Sequence, residues 1–289
     1  MKRIFTSLWV LLFVIGTDVT ASAYDNEWKT LDSEINSFYN QGFDDHAVEA
    51  AKQTLQNDEQ SLSPDDPKIA RSLSLLAMLY KYKGQYAQAE PLFKRALTID
   101  EKVFGEDDAS VAIILGNLAE QYIHQGQYAQ AEPLFKRALA IFAKIFGPDN
   151  VFVVTELNNL AELYIHQGQY AQAEPLFKQA LASASNEKVF GEDDASVAII
   201  LGNLAELYIH QGQYAQAELL FKRALAIDEK NFGRDHPDVA ADMKNINTLH
   251  RKIIMKKVEQ LIIIAGIFFA IILCCVYLLK LKSSKLMAS

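Results

Sequence analysis

The chain has 289 residues and a net charge of −8, and 50% of its residues are hydrophobic. The charge is uneven, because residues 24–250 hold 34 Asp and Glu against 19 Lys and Arg, whereas residues 251–289 hold seven Lys or Arg and one Glu. This acidic body argues against nucleic acid as a partner, since nucleic-acid binding requires a basic face that neutralises phosphates.

The first segment, residues 1–23, is predicted to be a signal peptide. It begins with Lys2 and Arg3, continues with a mostly apolar run over residues 4–15, and ends in Ala21-Ser22-Ala23. A charged start, a short apolar core and a small-residue end are typical of secretory signal peptides. An uncleaved N-terminal anchor is the alternative. Both interpretations place the following residues outside the cytoplasm.

An internal repeat occupies most of the remaining chain. Residues 101–141 recur as residues 187–227 with two changes, Gln121 to Leu207 and Pro133 to Leu219. The underlying period is shorter, because a Gly-x-aromatic triplet begins at positions 84, 126, 168 and 212, and a shifted Gly-Phe begins at position 42. The last spacing is longer and carries extra residues near positions 183–186. A fixed period of this size indicates a repeat array whose units pack against one another.

Each repeat is predicted to be a helical hairpin. In the unit over residues 107–146, oxygens of Asp107, Asp108 and Ser110 are suited to cap a helix start. Apolar residues then recur at helical spacing over residues 111–125, and Gly126 is suited to end that helix. A second helix is predicted from about residue 128 to residue 145. Its alanines should let the two helices approach, while Tyr and Phe fill the space between them.

Four consecutive units contain Leu-Ala-x-x-Tyr, Gly-x-Tyr and Ala-x-x-x-Phe-x-x-Ala-Leu. The packing set consists of Ala77, Tyr80, Ala89 and Phe93, and it recurs as Ala119, Tyr122, Ala131 and Phe135, as Ala161, Tyr164, Ala173 and Phe177, and as Ala205, Tyr208, Ala217 and Phe221. This pattern resembles the tetratricopeptide repeat, and its 42-residue period resembles the kinesin-light-chain type. The resemblance implies an all-α fold, a right-handed superhelical solenoid of helical hairpins. It covers roughly residues 68–250.

The units at the ends of the array depart from the pattern, as expected of capping units with one solvated face. Residues 24–67 are interpreted as a degenerate N-terminal capping repeat, and residues 68–236 as four tetratricopeptide-like repeats. Residues 237–257 form a predicted capping helix with a basic juxtamembrane segment. Residues 261–279 form a predicted C-terminal transmembrane helix, and residues 280–289 a short basic tail.

The transmembrane prediction depends on residues 261–279, which contain no charged residue. A helix of this length spans roughly 28 Å, enough for the hydrocarbon core of a bilayer. A buried core helix is the alternative. Lys280, Lys282 and Lys285 favour a cytoplasmic tail, although the basic residues Arg251, Lys252, Lys256 and Lys257 on the other flank favour the reverse orientation. Because export of the N-terminus comes first, we expect a single-pass membrane protein with its repeats on the exported side, the bacterial periplasm.

A second, polar stripe runs along the first helix of each repeat. It has the spacing i, i+3, i+7, which places its members on one face. The stripe comprises Asn117, Glu120 and His124, then Asn159, Glu162 and His166, then Asn203, Glu206 and His210, with Asn245 at the matching place in the capping helix. The resemblance implies that first helices line a concave groove and that these asparagines hold the backbone of an extended peptide. The alternative is a set of solvated residues multiplied by duplication.

The charge of this stripe predicts which partners fit. Relatives that bind acidic peptides need Lys or Arg in the groove, whereas this chain has Glu120, Glu162 and Glu206 there, with basic residues such as Arg71 and Lys81 only at its edges. We therefore expect proteins or extended peptide segments of neutral or basic character as partners. The membrane would be contacted through the C-terminal helix, and no small-molecule substrate is expected.

No cofactor, metal or catalytic activity is expected. Histidines one repeat apart are too far from one another to share a zinc ion, because neighbouring helices lie about 8–10 Å apart. The sequence has no nucleophile elbow, phosphate-binding loop or His-Glu-x-x-His motif. These features favour a membrane-anchored interaction scaffold or adaptor. A chaperone-like or self-associating envelope assembly factor is one alternative, and an enzyme whose active site no sequence motif reveals is another.

Overall fold

A computed structural model describes residues 45–186 and 189–286, with side chains described through Leu273. The predicted signal peptide, residues 1–23, lies outside the described residues, as do residues 24–44 of the predicted N-terminal capping repeat. The described part is all-helical. Its helices are α1 (Asp45–Ser61), α2 (Pro67–Tyr82), α3 (Tyr86–Phe104), α4 (Ala109–His124), α5 (Tyr128–Phe146), α6 (Val151–His166), α7 (Tyr170–Ala184), α8 (Ala195–His210), α9 (Tyr214–Phe232) and α10 (Pro237–Leu286).

The helices pair into hairpins that stack in chain order. The pairs α2–α3, α4–α5, α6–α7 and α8–α9 have the most extensive contacts, and each pair also packs on the next. The first helices α2, α4, α6 and α8 contact one another from repeat to repeat, whereas contacts between successive second helices are fewer. The first helices therefore form the inner layer of an all-α, tetratricopeptide-like solenoid.

The turn inside each hairpin depends on a glycine. Gly126 has a φ of 72°, a left-handed conformation that a side chain would strain. This conformation lets the backbone N–H of Gln127 donate to the Tyr122 carbonyl at 2.8 Å, which satisfies an orphan carbonyl at the end of α4. At the other end of α4, the Asp108 side chain accepts from the backbone N–H of Ser110 at 2.9 Å. Local sequence thus sets both ends of the helix.

The predicted packing set is confirmed. All sixteen of its residues are buried, and the four phenylalanines among them are at most 1% exposed. Ala119 on α4 and Ala131 on α5 are fully buried in a hairpin whose two helices pack on each other. Small residues at this crossing admit the larger aromatic rings beside them, as in ridges-into-grooves packing. The core therefore extends through the array instead of forming a separate centre in each repeat.

The third repeat differs from the others at its end. Helix α7 has 15 residues, whereas α5 has 19. The extra residues of this repeat fall in the loop after Ala184, so that α8 still begins with an aspartate cap, Asp194, in the same way as α4. The insertion lengthens the connection and leaves the stacking of α8 on α7 in place.

Helix α10 is longer than the other helices of the described chain. It runs from Pro237 to Leu286 without a break, so the predicted capping helix, the basic segment and the apolar run lie on one helix. The large apolar side chains from Leu261 to Leu273 are each at least 51% exposed.

Within the part of the chain that the structure describes, no helix is long and apolar enough to cross a membrane. The transmembrane prediction for residues 261–279 is therefore not confirmed.

Candidate peptide-binding groove

The inner helices place the predicted stripe at three different depths. Asn117 and Asn159 are buried, at 2% and 5% exposure. Asn203, Asn245, Glu120 and Glu162 are partly buried, while Glu206 and the three histidines are exposed. Asn117 and Asn159 are therefore not solvated, in contrast to the alternative interpretation of the stripe as a set of solvated residues.

The three central asparagines also have different partners. Asn117 donates to the backbone carbonyl of Ile113 and accepts from Lys81, both at 3.0 Å. Asn203 donates its amide to the side-chain oxygen of Asn158 at 3.1 Å. The buried amide nitrogen of Asn159 has no hydrogen-bond partner among the described residues. The duplicated motif therefore does not produce three equivalent peptide clamps.

The sequence suggested that Lys81 is a basic residue at the edge of the groove. In the structure, Lys81 is part of the groove floor. It is 2% exposed, and its ammonium group lies 2.5 Å from a carboxylate oxygen of Glu120. The ion pair joins α2 to α4 and compensates most of the negative charge expected from Glu120. Glu162 and Glu206 place two further carboxylates in the groove, farther along the array.

Sequence reasoning missed Glu156, which lies on α6 three residues before Asn159. It is 0% exposed, and neither carboxylate oxygen has a hydrogen-bond partner among the described residues. Burial raises the pKa of Glu156 well above its ordinary value, and the nearby Glu120 carboxylate adds to this effect. An alignment of the repeats would have shown it, because Ile114 and Ile200 occupy the same place in the neighbouring first helices.

A ladder of stacked rings along the groove was also missed. Each stripe histidine lies against the tyrosine that begins the second helix of the preceding repeat, and the ring centroids are 5.3–6.1 Å apart. The pairs are Tyr86 with His124, Tyr128 with His166, and Tyr170 with His210. At the last tyrosine, Tyr214, the ammonium group of Lys256 takes the place of a histidine, 5.0 Å from the ring centroid. One aromatic and basic contact therefore recurs in each repeat.

His166 has an acidic environment. Its Nε2 lies 3.7 Å from a carboxylate oxygen of Glu162. The interaction with Glu162 is the main cause that raises the pKa of His166 above its ordinary value; partial burial opposes the shift, and Glu206 contributes to it. The groove is therefore least acidic at low pH, where protonated His166 compensates these carboxylates.

The described residues bring no three His, Cys, Asp or Glu side chains together in a cluster that could hold a metal ion. The groove instead presents carboxylates, stacked histidine and tyrosine rings, and half-buried amides. These groups are suited to hydrogen bonding, ring contacts and charge attraction.

Comparison with known families identifies the repeat. A family model described as Tetratricopeptide repeat matches residues 36–102, 110–186, 156–230 and 196–253, which together make up more than half of the chain. A second model with the same description matches residues 74–144. No curated protein sequence is significantly similar to the chain.

Solved structures share the fold over most of the chain. BtubC (BKLC) from P. vanneervenii is 26% identical, with a TM-score of 0.58 over 76% of this chain and 83% of that one. A Podosopora anserina protein described as a kinesin light chain with nearly identical TPR-like repeats is 24% identical, with a TM-score of 0.60 over 71% and 95%. Aspartyl phosphate phosphatase F from Bacillus subtilis is 20% identical, with a TM-score of 0.57 over 71% and 51%. The last two likenesses concern the fold alone.

Proposed function

The chain belongs to the tetratricopeptide repeat family, with repeats of the kinesin-light-chain type, and we propose that it is a non-enzymatic scaffold that holds extended peptide segments along its inner helices. The family supports binding to proteins or peptides and indicates a non-catalytic fold. The observation that carries the proposal is the stacked His–Tyr pair that recurs at each of the three junctions between successive repeats. A periodic surface of this kind suits a periodic ligand.

The spacing of the groove is compatible with an extended peptide. Packed neighbouring helices lie about 8–10 Å apart, and an extended chain rises about 3.3 Å per residue. Each repeat would therefore contact about three peptide residues. Asn203 and Asn245 are partly buried, so they are the members of the predicted asparagine set that an incoming backbone would contact first.

Charge favours a neutral or basic segment over an acidic one. The ion pair with Lys81 compensates Glu120, so Glu162 and Glu206 supply most of the negative potential of the groove. A peptide with Lys or Arg at matching spacing would gain charge attraction there, and an acidic peptide would be repelled. Protonation of His166 would weaken this preference at low pH.

The scaffold would be tethered to a membrane by residues 261–279, with its repeats on the exported side. The support is the uncharged run in the sequence together with the signal-like residues 1–23. A large, contiguous and exposed apolar surface usually marks an interaction site. The run from Leu261 to Leu273 on α10 is such a surface. A periplasmic location at a bacterial inner membrane is the corresponding localisation.

The first experiment identifies the ligand. The full chain is captured from envelope membranes, and the partners that remain bound are identified by mass spectrometry. Extended segments of the captured partner are then synthesised and titrated against the full chain in detergent by calorimetry. Segments that bind should be neutral or basic.

The decisive variant is Glu162→Lys with Glu206→Lys. It should weaken the binding of a basic segment at least 10-fold and strengthen that of an acidic one, because two charges reverse in the groove. The matched control is Glu106→Lys with Glu192→Lys, which makes the same charge change at exposed loop positions of two repeats. Equal loss of affinity in both double variants would assign the effect to net charge and would contradict binding in the groove.

A further inference from the structure

An open cleft of about 480 Å³ lies where the last repeat meets α10. Three of its lining residues, Arg251, Lys252 and Lys256, are basic. Tyr214 and Met255 supply apolar walls, while Thr248 adds a hydroxyl group and Glu259 the one acidic group. The cleft therefore carries an excess of positive charge at one end of an otherwise acidic solenoid.

The basic residues of this cleft lack the carboxylate partners that one lysine in the second helix of each repeat has. Arg251, Lys252 and Lys256 make no ion pair with a described carboxylate, although Glu259 lines the same cleft. By contrast, each repeat pairs a second-helix lysine with the glutamate one turn before it: Lys94 with Glu90, Lys136 with Glu132, Lys178 with Glu174, and Lys222 with Glu218. Lys256 is positioned instead by the Tyr214 ring, 5.0 Å from its ammonium group. The cleft thus holds uncompensated positive charge.

The cleft lies directly before the exposed apolar part of α10. Leu261 lies five positions after Lys256, which corresponds to roughly 7–8 Å along a helix axis. The polar headgroup layer of a bilayer is about 5–8 Å deep on each side of the hydrocarbon core. If the apolar run lies in hydrocarbon, Lys256 is at the depth of the lipid phosphates, and Arg251 and Lys252 lie about one helical turn farther from the hydrocarbon.

We propose that this cleft binds the phosphate group of an anionic phospholipid. Arg251, Lys252 and Lys256 attract the phosphate, and the acyl chains lie along the apolar side chains that begin at Leu261. Glu259 lowers the net charge of the cleft without cancelling it. The inference goes beyond peptide binding and depends only on the proposed membrane tether.

The test uses the full chain in maltoside micelles supplied with equal amounts of phosphatidylglycerol and phosphatidylcholine. Native mass spectrometry counts the lipids that remain bound. The wild type should retain phosphatidylglycerol preferentially. The triple variant Arg251→Gln, Lys252→Gln, Lys256→Gln should lose this preference, with affinity for phosphatidylglycerol reduced roughly 10- to 100-fold.

The matched control removes three charges elsewhere. Lys136→Gln, Lys178→Gln and Lys222→Gln change exposed lysines of the repeats by the same total charge. This control should keep the wild-type preference, and circular dichroism should show that both triple variants stay folded. Equal retention of the two lipids by the wild type, or equal loss in both triple variants, would overturn the proposal.

A second measurement separates lipid from soluble phosphate. Inorganic phosphate is titrated into the same micelles, and phosphatidylglycerol should remain bound at millimolar concentrations. Binding of phosphate without a lipid preference would overturn the lipid as the ligand.

Carbonate extraction of membranes tests the tether separately. A chain that is extracted contradicts the tether and this inference together. An anchored chain without lipid preference contradicts this inference alone. Neither result bears on peptide binding in the groove.

Discussion

Position 156 is the clearest case in which one residue changes the chemistry of a repeat. Ile114 and Ile200 are each 3% exposed at the matching positions, where they fill the space between first helices. Glu156 places a carboxyl group in the same space with no described hydrogen-bond partner. Burying such a group without a partner costs about 1–3 kcal/mol. The third repeat is therefore locally less stable than its backbone geometry suggests.

Replacement of Glu156 should stabilise the protein in a pH-dependent way. Because the folded-state pKa of Glu156 is raised, the favourable contribution of the protonated form is present at low pH and is lost as the pH rises through that pKa. Asp100 also makes the stability fall as the pH rises, since burial raises the pKa of Asp100 to about 6. Glu156→Ile should raise stability by about 1–3 kcal/mol at pH 8. Glu156→Gln should reduce the decline of stability from pH 4 to pH 8. Thermal unfolding of the full chain in detergent measures both effects.

The control for this series is Glu162→Gln, which changes a more exposed glutamate on the same helix. Its effect on stability should stay within about 0.5 kcal/mol. If Glu156→Ile were destabilising by more than this amount, the carboxyl group would have to be satisfied by a partner in solution.

At the scale of helices, the repeats are joined by bonds that recur with the period of the sequence. The hydroxyl of Tyr122 donates to Glu90 at 3.0 Å, and that of Tyr164 donates to Glu132 at 3.1 Å, each from one repeat to the one before. The same glutamates pair with lysines one turn later in their own helices. In α10, His250 takes the place of the tyrosine and lies 3.3 Å from Glu218. Each repeat is therefore bonded to its neighbour in the same way.

Close approach of the two helices in each hairpin predicts a steric effect. Ala161 is 0% exposed, so Ala161→Leu should force larger atoms between α6 and α7 and cost about 1–3 kcal/mol. Ala171→Leu, on an exposed face of α7, is the matched control and should be close to neutral. Chemical unfolding followed by circular dichroism compares the two variants. Equal stability of both would mean that the alanines do not limit the helix spacing.

At the scale of the whole molecule, α10 connects the two parts of the chain that differ most in charge and polarity. Its first turns pack on the acidic repeats, its middle carries the basic cleft, and its later turns are apolar and exposed. Because the helix is continuous, any orientation imposed on the apolar part is transmitted to the groove. A tethered scaffold would thus hold its groove at a fixed angle to the membrane.

Topology can be tested with a reporter enzyme that is active only outside the cytoplasm. A fusion after His250 should be active, and a fusion after Ser289 should be inactive, because the signal-like N-terminus would export the repeats and Lys280, Lys282 and Lys285 would retain the tail. Deletion of residues 2–23 should abolish activity of the first fusion. The reverse pattern of activity would contradict the proposed exported location.

Sequence alone determined the repeat and its hairpin. The glycine turns, the aspartate or asparagine caps and the Ala–Phe packing set are all local features, and each recurs four times, so each copy supports the same interpretation. The period of the array then requires that neighbouring units share a core, which the structure confirms.

Only the tertiary structure decided the chemistry of the groove. Asn117, Asn159 and Asn203 have the same local sequence position, yet each has a different environment, because its neighbours come from adjacent repeats that have diverged. Lys81 pairs with Glu120, 39 residues away along the chain, and Glu156 lies where the two neighbouring repeats have isoleucine. Periodicity predicts which face of a helix is buried against its own hairpin. It does not predict which polar group the next repeat brings within hydrogen-bonding distance, because that depends on the curvature of the stack and on the few positions where the copies differ.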